Sequence, residues 1–184
     1  MTTQPAGLLS RAPDPTLFTL EGAQIQLSNV WRAQPVLFFF LRHFGCAICR
    51  AELGRLRQHY SDFQARGATI VAIAPSDAMA AALFARRQQL PFQMLADPRR
   101  LSYQAFGLEE ASLWEVAGPE ILVRQAREAL KGNIASINPF GPSINQLGGC
   151  FIVDRQGMLR FSHIARPIFN YPPIEEYLAI FDEL

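Results

Sequence analysis

Cys46 and Cys49 are separated only by Ala47 and Ile48, and the pair stands between an apolar run and a helical pattern. Residues three apart on a helical turn hold their Cβ atoms roughly 5–6 Å apart. A disulfide joins Cα atoms about 4.4–6.8 Å apart, so such a pair opens and closes with little backbone movement. A helix amino terminus adds unsatisfied N–H groups and the positive end of the macrodipole, and both favour a thiolate over a thiol. The thiolate is the nucleophile, and these surroundings lower a cysteine pKa to roughly 3.5–7.5. The chemistry implied is reversible thiol oxidation. Cys46, at the exposed tip of the helix, is the expected attacking sulfur, and Cys49, on the inward stripe, the resolving one.

Neighbouring residues widen the choice. Arg42 and Arg50 can supply positive charge to the pair. His43 can steer a proton or favour the thiolate by its own charge, or simply pack. Cys150 reads as a small buried hydrophobe, with an alternate resolving thiol as the functional reading. Cys46, Cys49, Cys150 and either His43 or His163 could also make a four-ligand zinc set, but there is one CxxC and no second ligand pair. His59 falls on the polar face of the helix after the cysteines and is read as solvated. Two structural cysteines without chemistry remain the plain alternative.

The elements that must position these residues follow from hydrophobic periodicity. Thr16–Leu20 and Gln24–Leu27 alternate apolar and polar residues around Glu21-Gly22, a hairpin at a sheet edge. Pro35–Leu41 is apolar throughout, as befits a central strand covered on both faces. From Cys49 one helix is expected through Leu53, Leu56, Tyr60 and Phe63, ending at Gly67. Strand Thr69–Ala74, a helix capped at Ser76-Asp77 and stopped by Pro91, strand Gln93–Ala96, and a helix from Asp97-Pro98 to Gly107 continue an alternating order. That order implies parallel pairing with helices on both faces.

It breaks over an insertion, about residues 109–147, which holds a helix begun near Pro119 and a charge-free stretch from Asn133 to Gln146. Long irregular segments of this kind are often lids or contact surfaces. Leu113, Trp114 and Val116 are read as packing the insertion onto the sheet, with an apolar substrate pocket or a subunit contact as alternatives. Strands Cys150–Val153 and Leu159–His163 and a helix from Pro173 through Phe181 close the chain.

With 184 residues and 49% hydrophobic content, the chain suits a single domain, 1–184, carrying that insertion. Seventeen basic and sixteen acidic residues give a net charge of +1 with no basic stripe, which argues against a nucleic-acid partner. Met1–Ala12 lacks the apolar core of a secretory signal, and the longest apolar run falls far short of the ~20 residues of a membrane span. A cytoplasmic protein without a membrane partner is expected, and in that reducing setting a CxxC is more often catalytic than a staple.

The order of elements, with a CxxC at the first strand-to-helix junction, resembles the thioredoxin fold in its peroxiredoxin elaboration. Ala12–Leu20, Leu95-Ala96-Asp97-Pro98 with Tyr103–Gly107, and Phe151-Ile-Val-Asp154 with Gly157 carry the likeness. More narrowly, Leu41–Arg50, the Trp114-containing insertion and Gln146-Leu-Gly-Gly149 are similar to the peroxiredoxin-like AhpC/TSA subfamily that includes prostamide/prostaglandin F synthase. The resemblance implies an α/β, thioredoxin-like fold: a central mixed sheet flanked by helices, an N-terminal β-hairpin, and a helical insertion before the final β-hairpin. It also implies a thiol-dependent oxidoreductase reducing a hydroperoxide or endoperoxide at Cys46 and Cys49, with Gly149 beside the thiols. No bound cofactor is implied; electrons would come from thioredoxin or a similar external dithiol, and a homodimer is compatible. Typical members carry a proline seven residues and a threonine or serine three residues before the reactive cysteine, where this chain has Phe39 and His43. They also carry an arginine where it has Gly148. A thiol–disulfide oxidoreductase acting on protein disulfides, and a non-catalytic thioredoxin-fold sensor or binding protein, are the alternatives.

Overall fold

The computed structural model describes residues 10–112 and 145–184, with positions 119, 123, 126, 127 and 130 between them. The expectations placed on Leu113, Trp114, Val116 and the stretch 133–144 lie outside the described residues. The expected hairpin is β1 (Thr16–Phe18) and β2 (Gln24–Gln26), with Gly22 supplying the positive φ of its turn. A single turn, α1 (Ser28–Trp31), follows; four residues are too few to leave a periodic trace in a sequence.

The all-apolar run forms β3 (Val36–Phe40), every residue of which is buried. β3 pairs in parallel with β4 (Thr69–Ala74) and antiparallel with β6 (Gly149–Val153). With β5 (Gln93–Ala96) and β7 (Leu159–Ile164) the sheet has the order β2-β1-β5-β4-β3-β6-β7. Parallel pairing is confined to β3-β4-β5 and the flanks are antiparallel, so the sheet is mixed, as the thioredoxin-like expectation required.

The helix expected over Cys49–Phe63 is instead two: α2 (Ala47–Gln58) and α3 (Tyr60–Ala65). His59 lies between them at φ −102°, and its carbonyl accepts from the N–H groups of Asp62 (2.9 Å) and Phe63 (3.4 Å). Its ring meets the Asp62 carboxylate at 2.9 Å, so this half-buried histidine, expected to be solvated, has a specific partner. Further on, α4 (Ala78–Gln88) is capped by Asp77, which accepts from Ala80 N at 2.8 Å, and α5 (Leu101–Ala105) is capped by the carboxylate of Asp97. The final helix is α6 (Ile174–Asp182).

Alternation along β3 divides the core into two layers. Val36, Phe38 and Phe40 face a cluster with Trp31, Tyr103, Phe106 and Phe151. Leu37 and Phe39 face Leu53, Leu56, Phe63, Phe84 and Phe181 from α2, α3, α4 and α6. Each such side chain contributes roughly 1.5–3 kcal/mol on burial. The strand that leads to the cysteines is thereby fixed from both sides.

Candidate active site

The end of β3 is held by the sheet and by one tyrosine. Leu41 N donates to Ile73 O at 2.9 Å, and the Tyr103 hydroxyl reaches Leu41 O at 2.7 Å and Ile73 O at 2.9 Å. The chain then turns: Cys46 N donates to His43 O at 3.1 Å, and Phe44 stacks on Phe84 with ring centroids 4.4 Å apart. Cys46 is the N-cap of α2, extended at φ −73° and ψ 108°, and its sulfur accepts from Cys49 N at 3.1 Å.

Both cysteines are free thiols. Burial alone would raise the Cys46 thiol. It is opposed by a hydrogen bond from the Cys49 thiol, by the charge of Arg42, and by the Cys49 N–H, and the result is a thiol lowered to about 6. The same burial and contact push Cys49 well above the usual thiol range. The two environments divide the labour: one sulfur is a thiolate near neutrality and the other holds its proton.

Cys46 is not the exposed tip expected from the sequence. It is 5% exposed. Arg42 is itself buried; its Nη1 lies 3.9 Å from Cys46 Sγ and its Nε donates to Gln146 O at 3.0 Å. His43 departs from one of its readings. Burial and the charges of Arg42 and Arg50 lower its pKa to about 4, so the ring is neutral near pH 7 and the charge beside the thiolate is that of Arg42. Arg50, in the first turn of α2, holds its Nε and Nη2 buried without a hydrogen-bond partner among the described residues.

Gly149 opposes Phe40 across the β3–β6 pair, and a Cβ there would lie 2.4 Å from His163 O. Cys150, one residue on, faces the other layer of the core. Tyr177 donates to its sulfur at 3.2 Å, and burial pushes the thiol up to about 12. Cys150 is thus set as a packed thiol in the other core layer from Cys46 and Cys49, and among the described residues no three His, Cys, Asp or Glu side chains are grouped to hold a metal. His163 contacts Asn170 O through Nε2 at 2.5 Å.

Four residues at the site were given no supporting role by the sequence reading, three of them named there only as parts of the family resemblance or as a departure from it. Gln146 is buried and donates to Leu108 O (2.9 Å) while its carbonyl orients Arg42. Tyr103 ties the strand end. Gly148 gives Arg42 its path: a Cβ there would lie 3.2 Å from Arg42 Cγ and 2.6 Å from Phe40 O. Tyr171 presents a buried hydroxyl to the same glycine. The Gly148-Gly149 pair after a buried glutamine was the one available signal.

The model of the AhpC/TSA family matches residues 9–162. A prostamide/prostaglandin F synthase of Danio rerio is 26% identical over 166 residues, covering 86% of this chain and 79% of that protein. Two solved structures share the fold. Peroxidoxin BcpB from Mycobacterium tuberculosis has a TM-score of 0.68 at 16% identity, covering 96% of this chain and 97% of its own. A peroxiredoxin-like protein from Aquifex aeolicus has a TM-score of 0.70 at 11% identity, covering 98% and 89%. The thioredoxin-like, peroxiredoxin-type fold expected from the sequence is the fold observed.

Proposed function

Because this chain belongs to the AhpC/TSA family, we propose that it is a thiol-dependent oxidoreductase that reduces a hydroperoxide or endoperoxide through Cys46 and Cys49. The observation that carries the reading is the set of donors on the Cys46 sulfur: the Cys49 N–H, the Cys49 thiol and the Arg42 guanidinium. The Cys46 thiolate attacks one peroxide oxygen; an S–O bond forms, the O–O bond breaks, and the other oxygen takes a proton, leaving as water or alcohol from a hydroperoxide or staying tethered as a hydroxyl on the sulfenate ester formed from an endoperoxide. The Cys49 sulfur then attacks the oxidised Cys46 sulfur, an S–S bond forms, and the oxygen departs with the Cys49 proton as water from the sulfenic acid or as the alcohol from the ester. An external dithiol such as thioredoxin returns the two electrons by exchange, which needs no bound cofactor and suits a cytoplasmic setting.

The second reading is exchange with another protein's disulfide. It is favoured by a neutral His43 three residues before Cys46 and by a glycine at 148, where typical peroxiredoxins carry a hydroxyl and an arginine. Stopped-flow mixing of the reduced protein with hydrogen peroxide, an organic hydroperoxide and a protein disulfide separates the two. The Cys46→Ser variant is expected to lose turnover, and Cys49→Ser to undergo one oxidation and accumulate a sulfenic acid that dimedone captures. If no peroxide oxidises Cys46 faster than a free thiol of similar pKa, the peroxidase reading fails.

A further inference from the structure

Three segments distant in sequence meet near the amino-terminal end of β3, and each brings an arginine. Residues 10–12 pair with the turn between β6 and β7: Ala12 N donates to Gly157 O at 2.8 Å, and Leu159 N to Ser10 O at 2.9 Å. The same segment is tied to α1 by a 2.7 Å bond from Ser28 N to Asp14 Oδ1. The turn at Gly157, with φ +78°, lies against α1 as well, where a Cβ would come 3.0 Å from Trp31 Nε1. Arg11, Arg32 and Arg155 are thereby carried to the lining of one cavity of about 300 Å³.

Their charge is not balanced there. Asp14 is the one carboxylate among the lining residues, so three positive charges stand against one negative. Asp154, next to Arg155 in sequence, is already paired with Arg160 at 2.6 Å. None of the three guanidinium groups has an ion pair or a hydrogen bond among the described residues. Ser28 lines the same cavity. It is 2% exposed, its N–H is taken by Asp14, and its hydroxyl has no partner among the described residues. Buried hydroxyls are ordinarily paired, so an orphaned one is a cost that a ligand can recover. The uncompensated charge matches a phosphate dianion, whose oxygens take guanidinium donors in bidentate pairs.

We propose that Arg11, Arg32, Arg155 and the Ser28 hydroxyl form a binding site for a phosphoryl group, inorganic or carried by a small ester. The site and the cysteines lie at opposite ends of β3. Arg32 precedes the strand, Val153 of β6 pairs with Val36 at its start, and Cys46 follows its last residue, Phe40. A strand of this length spans roughly 15 Å. A bound phosphoryl group therefore leaves the thiols open, while it ties three segments together and stabilises the folded state by mass action.

Isothermal titration calorimetry of the reduced protein with inorganic phosphate, methyl phosphate and acetate, at matched ionic strength, tests the assignment. Saturable binding of at least one of the two phosphates is expected. Arg32→Gln and Arg155→Gln should each weaken it about tenfold, the scale of one charge-assisted hydrogen bond. A tighter methyl phosphate marks an ester as the ligand, and a tighter inorganic phosphate the free anion. Ser28→Ala should also weaken binding, yet unfold in urea without phosphate no earlier than wild type, because it removes an orphaned hydroxyl. Absence of saturable binding overturns the proposal, and so does acetate bound as tightly as phosphate. Wild-type affinity in any of the three variants overturns it as well. An affinity lost in Ser28→Ala only together with stability would mark that serine as structural and remove it from the site.

Discussion

Burial and reactivity pull Cys46 in opposite directions. A thiolate removed from water is disfavoured, so a buried cysteine is ordinarily inert. Here the loss of solvent is offset by donors to the same sulfur and by the Arg42 cation, and the thiol drops to about 6. Arg42 provides both a charge and a fixed direction, since Gln146 O accepts from its Nε. Replacing it by methionine, which fills similar space without charge, should raise the Cys46 pKa by roughly one unit or more, the scale of a neighbouring opposite charge. The pH dependence of iodoacetamide alkylation measures this directly: the midpoint moves upward and the rate at pH 6.5 falls. An unmoved midpoint would mean that the Cys49 donors alone set the thiolate.

The elements differ in how openly the sequence announced them. β3 was legible because seven consecutive apolar residues leave little choice but a strand covered on both faces, and the cysteines then had to lie at its carboxyl end. The break at His59 was hidden because Leu53, Leu56, Tyr60 and Phe63 keep one apolar stripe through it. Cys46's burial was hidden too, since its surroundings include Arg42, which is held by Gln146 O from a hundred residues away. Tyr171 and Gly148 share that character: neither belongs to a periodic stretch, and they matter through a meeting of two loops. The start of β6 is where these loops converge, and it admits no side chain. Gly149→Ala would drive a Cβ to 2.4 Å from the His163 carbonyl and 3.1 Å from Leu108 Cδ2. The first of these is backbone in the paired strand and cannot rotate away. The variant should lose about 1–3 kcal/mol or more of stability, the cost of overpacking. Urea unfolding checks it, and a wild-type midpoint would show that β7 can shift at no cost.

At the scale of the whole molecule, the site ties global stability to pH in two separate windows. Cys46 has a folded pKa of about 6 against a reference value of 9.0. Its contribution to stability is complete above pH 9, where both states are ionised, and is lost as pH falls to about 6, because the unfolded chain binds the proton first. His43 has a folded pKa of about 4 against 6.5. Its neutral burial costs nothing extra above pH 6.5, but between 6.5 and 4 the unfolded chain takes up a proton that the folded chain refuses. That transfer removes stability on the order of 3 kcal/mol by pH 4. Both signs are the same, so acidification removes both contributions, that of Cys46 between pH 9 and 6 and that of His43 between pH 6.5 and 4. The assignment of each window is testable by difference, since groups that do not touch the replaced side chain cancel between a variant and the wild type, and Cys49, which Cys46 does touch, titrates above the windows compared. Urea unfolding across this range should show a shallower decline for Cys46→Ser between pH 9 and 6, and for His43→Gln between pH 6.5 and 4. Each variant should follow the wild-type slope outside its own window. If the His43→Gln curve runs parallel to wild type down to pH 4, the imidazole is not held neutral by its burial, and Arg42 and Arg50 do not repel a proton from it.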